Sequence, residues 1–221
     1  YYRIINQETA NRQGRFHSAP LILHSLDFAT IKTLQDEENW DEMETLLCDA
    51  ARRIEQSGAE LLALCTNTMH KLAPQIQSAI SIPLIHSIEA TAIALKAAGV
   101  TTAGLLGTRF TMQEGFFRDY LRTHHSIDTV IPPAEEQGVI DNIIYNELCL
   151  GTIDHKSRTM FQHIIRMLQQ KEGAEAVILG CTEISLLISK DDVDVPLFDT
   201  TEIHAHATVA EALREDTTQC S

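Results

Sequence analysis

Short apolar runs alternate along this chain with longer stretches whose apolar residues recur at helical spacing. That is the pattern of parallel strands joined by crossover helices. The runs predict strands over 20–26, 61–65, 83–86, 102–106, 127–130, 176–179 and 196–198. Helices are predicted over 41–57, 71–80, 89–98, 112–122, 135–150, 156–171 and 201–214. The fold class is therefore α/β.

The pattern also repeats. Gly58-Ala59-Glu60 leads through an apolar run to Cys65-Thr66, a helix, and then Pro83-Leu84-Ile85-His86-Ser87. Gly173-Ala174-Glu175 leads likewise to Cys181-Thr182, a helix, and then Pro196-Leu197-Phe198-Asp199-Thr200. Internal echoes of this length point to a duplicated structural unit. Two pseudo-symmetric Rossmann-like domains are expected, residues 1–97 with 206–221 carrying Cys65 and residues 98–205 carrying Cys181. Ligands of open α/β sheets bind beyond the carboxyl ends of the strands, where both Cys-Thr steps lie. A pseudo-two-fold arrangement would set those steps on opposite walls of one cleft.

Composition narrows the function. The 221 residues are 44% hydrophobic and 22% charged, as in ordinary globular proteins, and the net charge is -14. Such an acidic surface repels nucleic acid, whose binding needs clustered Lys and Arg. No apolar run reaches the length of a membrane span. The odd set of five cysteines, with no C-x-x-C, reads as reduced thiols in a cytoplasmic protein. Cys48, Cys149 and Cys220 lack an echo in the other half and read as structural. The His124/His125 and His204/His206 pairs match no metal-ligand spacing, so no metal is expected.

Two thiols facing each other across a carbon could remove a proton from one face and return one to the other. A helix N-terminus favours the thiolate, and both Cys65 and Cys181 precede a predicted helix. Thr66, Asn67, Thr68 and Thr182 follow them and offer donors to an anion. The loop Gly107-Thr108-Arg109-Phe110-Thr111 adds the hydroxyls of Thr108 and Thr111.

The segments L-C-T-N-T-M-H at 64–70, L-L-G-T-R-F-T-M at 105–112 and G-C-T-E-I at 180–184 resemble the aspartate/glutamate racemase family. Y-Y-R-I-I-N at the start, L-H-S-L-D-F at 23–28 and N-E-L-C-L-G at 146–151 resemble its members specific for acidic amino acids. The resemblance covers nearly the whole chain. It implies a site between two α/β domains, catalysis by Cys65 and Cys181, no pyridoxal phosphate or other cofactor, no metal, and commonly a homodimer. Thr66, Asn67, Thr68 and Thr182 would bind the backbone of the substrate, and Gln35, in the loop before Trp40, would approach its side chain.

This chain departs from the family pattern twice. The resemblance implies a first strand and Gly-rich loop ahead of Tyr1-Tyr2, so a strand of the first domain is expected to be missing from these residues. Val139 stands where some acidic-substrate members carry a lysine; Arg109 and Lys71 are the cations that could compensate, though both read first as exposed, solvated side chains. Maleate isomerases and hydantoin racemases share the cysteine positions, whereas an arylmalonate decarboxylase needs only one. A non-catalytic amino-acid-binding protein is the alternative from another class.

Overall fold

Asp154 starts the longest described helix by accepting the N–H groups of Lys156 and Ser157, and Gly173, at φ 74°, stops it. Left-handed backbone of this kind closes helices most cheaply at glycine. Caps and breaks of this sort set the element order in the computed structural model, which describes residues 1–214. Helices α1 (Tyr2–Gln13), α2 (Phe28–Asp36) and α3 (Trp40–Gln56) precede β1 (Leu62–Ala63), α4 (Ala73–Ala79), β2 (Leu84–Ile85) and α5 (Ser87–Ala97). Then follow β3 (Thr102–Leu106), α6 (Arg109–Gln113), α7 (Gly115–His125), β4 (Asp128–Val130), α8 (Ala134–Asn146) and α9 (His155–Glu172). The described chain ends with β5 (Ala176–Leu179), α10 (Ile184–Leu187), β6 (Leu197–Asp199) and α11 (Thr200–Ala212). Short 3₁₀ turns occupy Thr68–Leu72 and Leu148–Leu150.

The chain forms two compact units. Of the described residues, the first holds 1–64, 71–86 and 205–214; the second holds 65–70 and 87–204. In the first unit β1 pairs in parallel with β2, and α4 packs on α3. In the second, four parallel strands run in the order β4-β3-β5-β6. Side chains alternate across that sheet. Leu106, Val177 and Leu179 face one cluster with Ile140 and Ile144 of α8 and Phe161, Ile164 and Leu168 of α9. Leu105, Ala176 and Ile178 face the other, with Ile88 and Leu95 of α5 and Phe117 and Leu121 of α7. A parallel sheet covered on both faces explains why β3 and β5 read as unbroken apolar runs.

Several expectations are corrected. Residues 20–26 form no strand: no described strand pairs with them, and Leu21, Ile22 and Leu23 are 37%, 47% and 74% exposed. Gln35 lies on α2 and not in a loop. The helix expected over 112–122 divides at Glu114, whose backbone is extended after its N–H closes onto the Phe110 carbonyl. The one expected over 135–150 stops at Asn146, and that over 71–80 begins as a 3₁₀ turn. The segment 65–70 and helix α5 cluster with the second unit, not the first, because Asn67, Thr68 and His70 bond to Ser87, Thr108, Thr111 and Thr200. Cys220 lies outside the described residues.

Carboxylates tie the starts of strands to neighbouring elements. The Glu55 side chain accepts the Ser81 hydroxyl and the N–H groups of Ser81 and Ile82 ahead of β2, and Glu175 accepts those of Thr101 and Thr102 together with the Thr101 hydroxyl. These bonds favour the ionised form and hold both carboxyls below the usual range. A carboxyl depressed in the fold contributes stability above its unfolded pKa and loses it as pH falls through the folded value. Glu175→Gln is therefore expected to melt at a lower temperature than wild type at neutral pH. The difference should vanish as pH drops below the carboxylate range, as followed by circular-dichroism melts across pH.

Candidate active site

Parallel strands that end together deliver their following loops to one sheet edge. The Gly180 N–H donates to the Leu106 carbonyl at 2.6 Å, extending the β3–β5 ladder one step beyond β5. A Cβ on Gly180 would lie 2.8 Å from that carbonyl oxygen, and one on Gly107 3.1 Å from the Gly180 oxygen. At Gly180 the approach requires glycine, and at Gly107 a side chain would crowd the contact. It brings the turn carrying Cys181 against the loop carrying Thr108 and Thr111.

Three sequence-predicted hydroxyls meet beside it. Thr68 Oγ1 lies 3.2 Å from Thr108 Oγ1 and 3.3 Å from Thr111 Oγ1, and the last two are 3.2 Å apart. All three residues are buried. A hydroxyl can both donate and accept, so the triangle satisfies itself when empty and can turn its protons toward an anion.

Asn67 is also buried, but its amide is engaged within the protein. Oδ1 accepts the Ser87 hydroxyl at 2.9 Å, and Nδ2 donates to Thr200 Oγ1 at 2.8 Å. Thr200 in turn donates to the Leu179 carbonyl at 2.8 Å, two residues before Cys181. His70 Nδ1 lies 2.7 Å from the Thr66 carbonyl, and its Nε2 accepts the Ser87 N–H at 2.9 Å. The loop after Cys65 is thus hydrogen-bonded through to the strand that leads to Cys181.

Cys181 is half-buried, and its thiol donates to Glu183 Oε2 at 3.0 Å; the Thr182 hydroxyl donates to the same oxygen at 2.7 Å. Burial, then the Glu183 charge, pushes the Cys181 pKa well up. Cys65 is solvent-exposed, yet desolvation by the surrounding protein raises its thiol to about 11. The expectation that helix N-termini depress both pKa values is corrected. A 3₁₀ turn follows Cys65, and α10 is only four residues long, so neither thiol faces a macrodipole of any size. Both are protonated at neutral pH when no ligand is bound.

Glu183 is a functional candidate that sequence reasoning missed; the signal was an acid two residues after a candidate cysteine. Cys149 stands in the 3₁₀ turn that packs on α10, and burial followed by the Glu183 charge raises its thiol to about 11. Cys48, by contrast, is buried on α3, facing α4. Gln35 is 2% exposed with its Oε1 unpartnered, but it belongs to the first unit, not to this cluster. Among the described residues no group of three His, Cys, Asp or Glu is placed to hold a metal ion.

The ladder register also aligns the two halves differently from their cysteines. Leu62 pairs with Leu84 and Val177 with Leu197, and each of these partners follows the proline of its x-P-L segment. Leu62 and Val177 are therefore equivalent. Counting forward equally makes Thr66 the counterpart of Cys181, and Cys65 the counterpart of Gly180. The spacing from Glu60 to Thr66 and from Glu175 to Cys181 is the same, so this signal was present in the sequence.

The candidate cations each lie over an aromatic ring. Lys71 Nζ lies 3.7 Å over the Trp40 ring, and Arg109 is exposed, with its guanidinium 5.4 Å over Phe110. Val139 packs against the apolar core.

Comparison with known proteins identifies the family. The family model described as Asp/Glu/hydantoin racemase matches residues 1–208. A Yersinia pestis structure, provisionally assigned as an Asp/Glu racemase, is 44% identical with a TM-score of 0.89, over 97% of this chain and 93% of that one. The structure of an aspartate racemase homologue from Pyrococcus horikoshii OT3 is 32% identical with a TM-score of 0.81, over 96% and 92%. The broad specificity amino-acid racemase RacX of Bacillus subtilis (strain 168) is 25% identical over 170 residues, 77% of this chain and 72% of its own. With a parallel sheet in each of two α/β units and a polar sheet edge carrying Cys181, the chain belongs to the Asp/Glu/hydantoin racemase family and is an isomerase of the racemase type.

Proposed function

We propose that this protein racemises an acidic amino acid, aspartate or glutamate, by proton transfer on the two faces of the α-carbon, without pyridoxal phosphate or metal. The observation that carries the proposal is the junction of Cys181, Glu183 and the Thr68–Thr108–Thr111 triangle at one sheet edge. The triangle would take the α-carboxylate. Glu183 would meet the α-ammonium as a carboxylate, and with its charge so paired the Cys181 thiol, 3.0 Å away, would release its proton to solvent and act as a thiolate base. An ammonium group beside Glu183 offsets the charge that otherwise disfavours that thiolate.

On the opposite face the register favours Thr66 as the acid that returns a proton. A hydroxyl can donate to a carbanion, but it ionises far less readily than a thiol, so the two faces would be chemically unequal. Cys65, adjacent and exposed, is the second reading, as the paired-cysteine motif implies. The relatives' names favour acidic substrates, while cations lying over aromatic rings and apolar Val139 favour a wider range of the kind named for RacX. We further propose that two copies associate through the stretch where Phe16, Leu23 and Phe28 are 86%, 74% and 52% exposed.

Proton NMR of L- and D-aspartate, glutamate and alanine in deuterated buffer, with no added cofactor, tests the reaction. Loss of the α-proton signal from the acidic pairs with inversion is expected, and Cys181→Ala should abolish both. Thr66→Val should stop inversion while exchange through Cys181 persists. If Cys65→Ala stops inversion and Thr66→Val does not, the role passes to Cys65. No exchange with any substrate sinks the racemase proposal.

Glu183→Gln removes the charge that helps hold the Cys181 proton, so its thiol should ionise at lower pH than in wild type. Alkylation of Cys181 by iodoacetamide, followed across pH by mass spectrometry, is expected to show that downward shift. Leu23→Glu should convert a dimer to a monomer in sedimentation-velocity runs, and a wild-type monomer would remove the association claim.

A further inference from the structure

His70 is 2% exposed, and each of its ring nitrogens has a partner of fixed polarity. A carbonyl can only accept and a backbone N–H can only donate. The Thr66 carbonyl therefore requires a proton on Nδ1, and the Ser87 N–H requires a bare Nε2. The ring is neutral and of one tautomer, and its edge is further fixed by the His204 ring 5.8 Å away at 78°. Through this ring, the peptide carbonyl of Thr66 is anchored to the first residue of α5.

The chain of bonds continues from there. Ser87 bonds Asn67, Asn67 bonds Thr200, and Thr200 bonds the Leu179 carbonyl, so each link is a buried side chain with a single geometry. Buried polar networks that are fully satisfied specify position, because every alternative leaves a group unpaired. One end of the network is the backbone of Thr66 and the other is the strand end ahead of Cys181.

We propose that His70 is a positioning residue for the reaction: its neutral Nδ1–H form clamps the Thr66 carbonyl and so fixes the Cys65–Thr66 step relative to Cys181. This rests on the racemase reading above. His70 itself touches no substrate and moves no proton. It acts through the backbone that presents the proton-donating side chain, where a displacement of about 1 Å can cost on the order of 100-fold in rate.

Two substitutions separate the ring's bonds. The Asn side chain reaches about where Nδ1 lies, so His70→Asn keeps a donor for the Thr66 carbonyl and gives up the Ser87 N–H bond, while the Asn67 amide still ties the same turn to the Ser87 hydroxyl and to Thr200. Gln reaches to the Nε2 position, so His70→Gln keeps the acceptor for Ser87 and gives up Thr66. Each variant loses one buried hydrogen bond, and a purely structural role would lower melting temperature and activity alike in both. The clamp predicts instead that His70→Gln loses about 100-fold in kcat with KM little changed, whereas His70→Asn retains most of its kcat.

The full-length protein is assayed for racemisation with each variant, alongside melting curves and imidazole-nitrogen NMR of the wild type. Equal loss in both variants, or loss that tracks melting temperature, overturns the clamp. A wild-type His70 that is protonated or carries its proton on Nε2 overturns it whatever the enzyme turns over. A wild type that exchanges no α-proton overturns the racemase reading, and the positioning role with it, while the NMR result shows separately whether the neutral ring is present.

Discussion

Parallel strands align their carboxyl ends, and in the second unit this places the chain after β3 and the chain after β5 side by side. Leu106 and Leu179 are paired in register, and the short bond from Gly180 to Leu106 carries the ladder to the residue before Cys181. The glycines at 107 and 180 are what let two backbones turn away from the sheet at that distance. Thr108 and Thr111 of the threonine triangle, and the bonded Cys181 and Glu183, stand in the two segments which that contact brings together.

The edge is anchored by apolar packing on both faces of the sheet. Leu105 and Leu106 are fully buried on opposite faces, as are Ile178 and Val177. Each such side chain contributes about 1.5–3 kcal/mol by leaving water, which is ample to hold strands whose loops carry buried hydroxyls and an imidazole. Those polar groups are affordable because they bond to one another. Asn67, Ser87, Thr200 and His70 leave the Leu179 and Thr66 carbonyls satisfied without water.

The electrostatics runs against a resting thiolate. Burial and Glu183 both hold the Cys181 proton in place, and Cys149 feels the same carboxylate. A nearby cation is what shifts such a balance, and an amino acid brings one on its α-nitrogen. Under the proposed function, the base forms when substrate is present, which keeps a reactive thiolate from persisting in the empty enzyme.

Strands 102–106 and 176–179 were legible to the residue, because a strand buried on both faces has to be apolar throughout. The helix over 156–171 was legible within a residue at each end, since Asp154 and Gly173 mark its limits chemically. The duplicated unit, the cysteines and the hydroxyls at 68, 108 and 111 were also present in the pattern. The stretch 20–26 carries strand chemistry but forms none, because a strand exists only where another supplies its hydrogen bonds. Gln35 reads as a loop residue, yet α2 carries it and buries it. The alignment of the two halves was determined by the sequence, through the spacing from Glu60 and Glu175, but the matching Cys-Thr words concealed it until the strand register gave an independent count. Only the tertiary structure decided the thiol pKa values, the contact of Cys181 with Glu183 and the buried path from Thr66 to Leu179. Those depend on which atoms exclude water and which partners meet across more than a hundred residues, as Asn67 and Thr200 do, and local pattern carries no record of either.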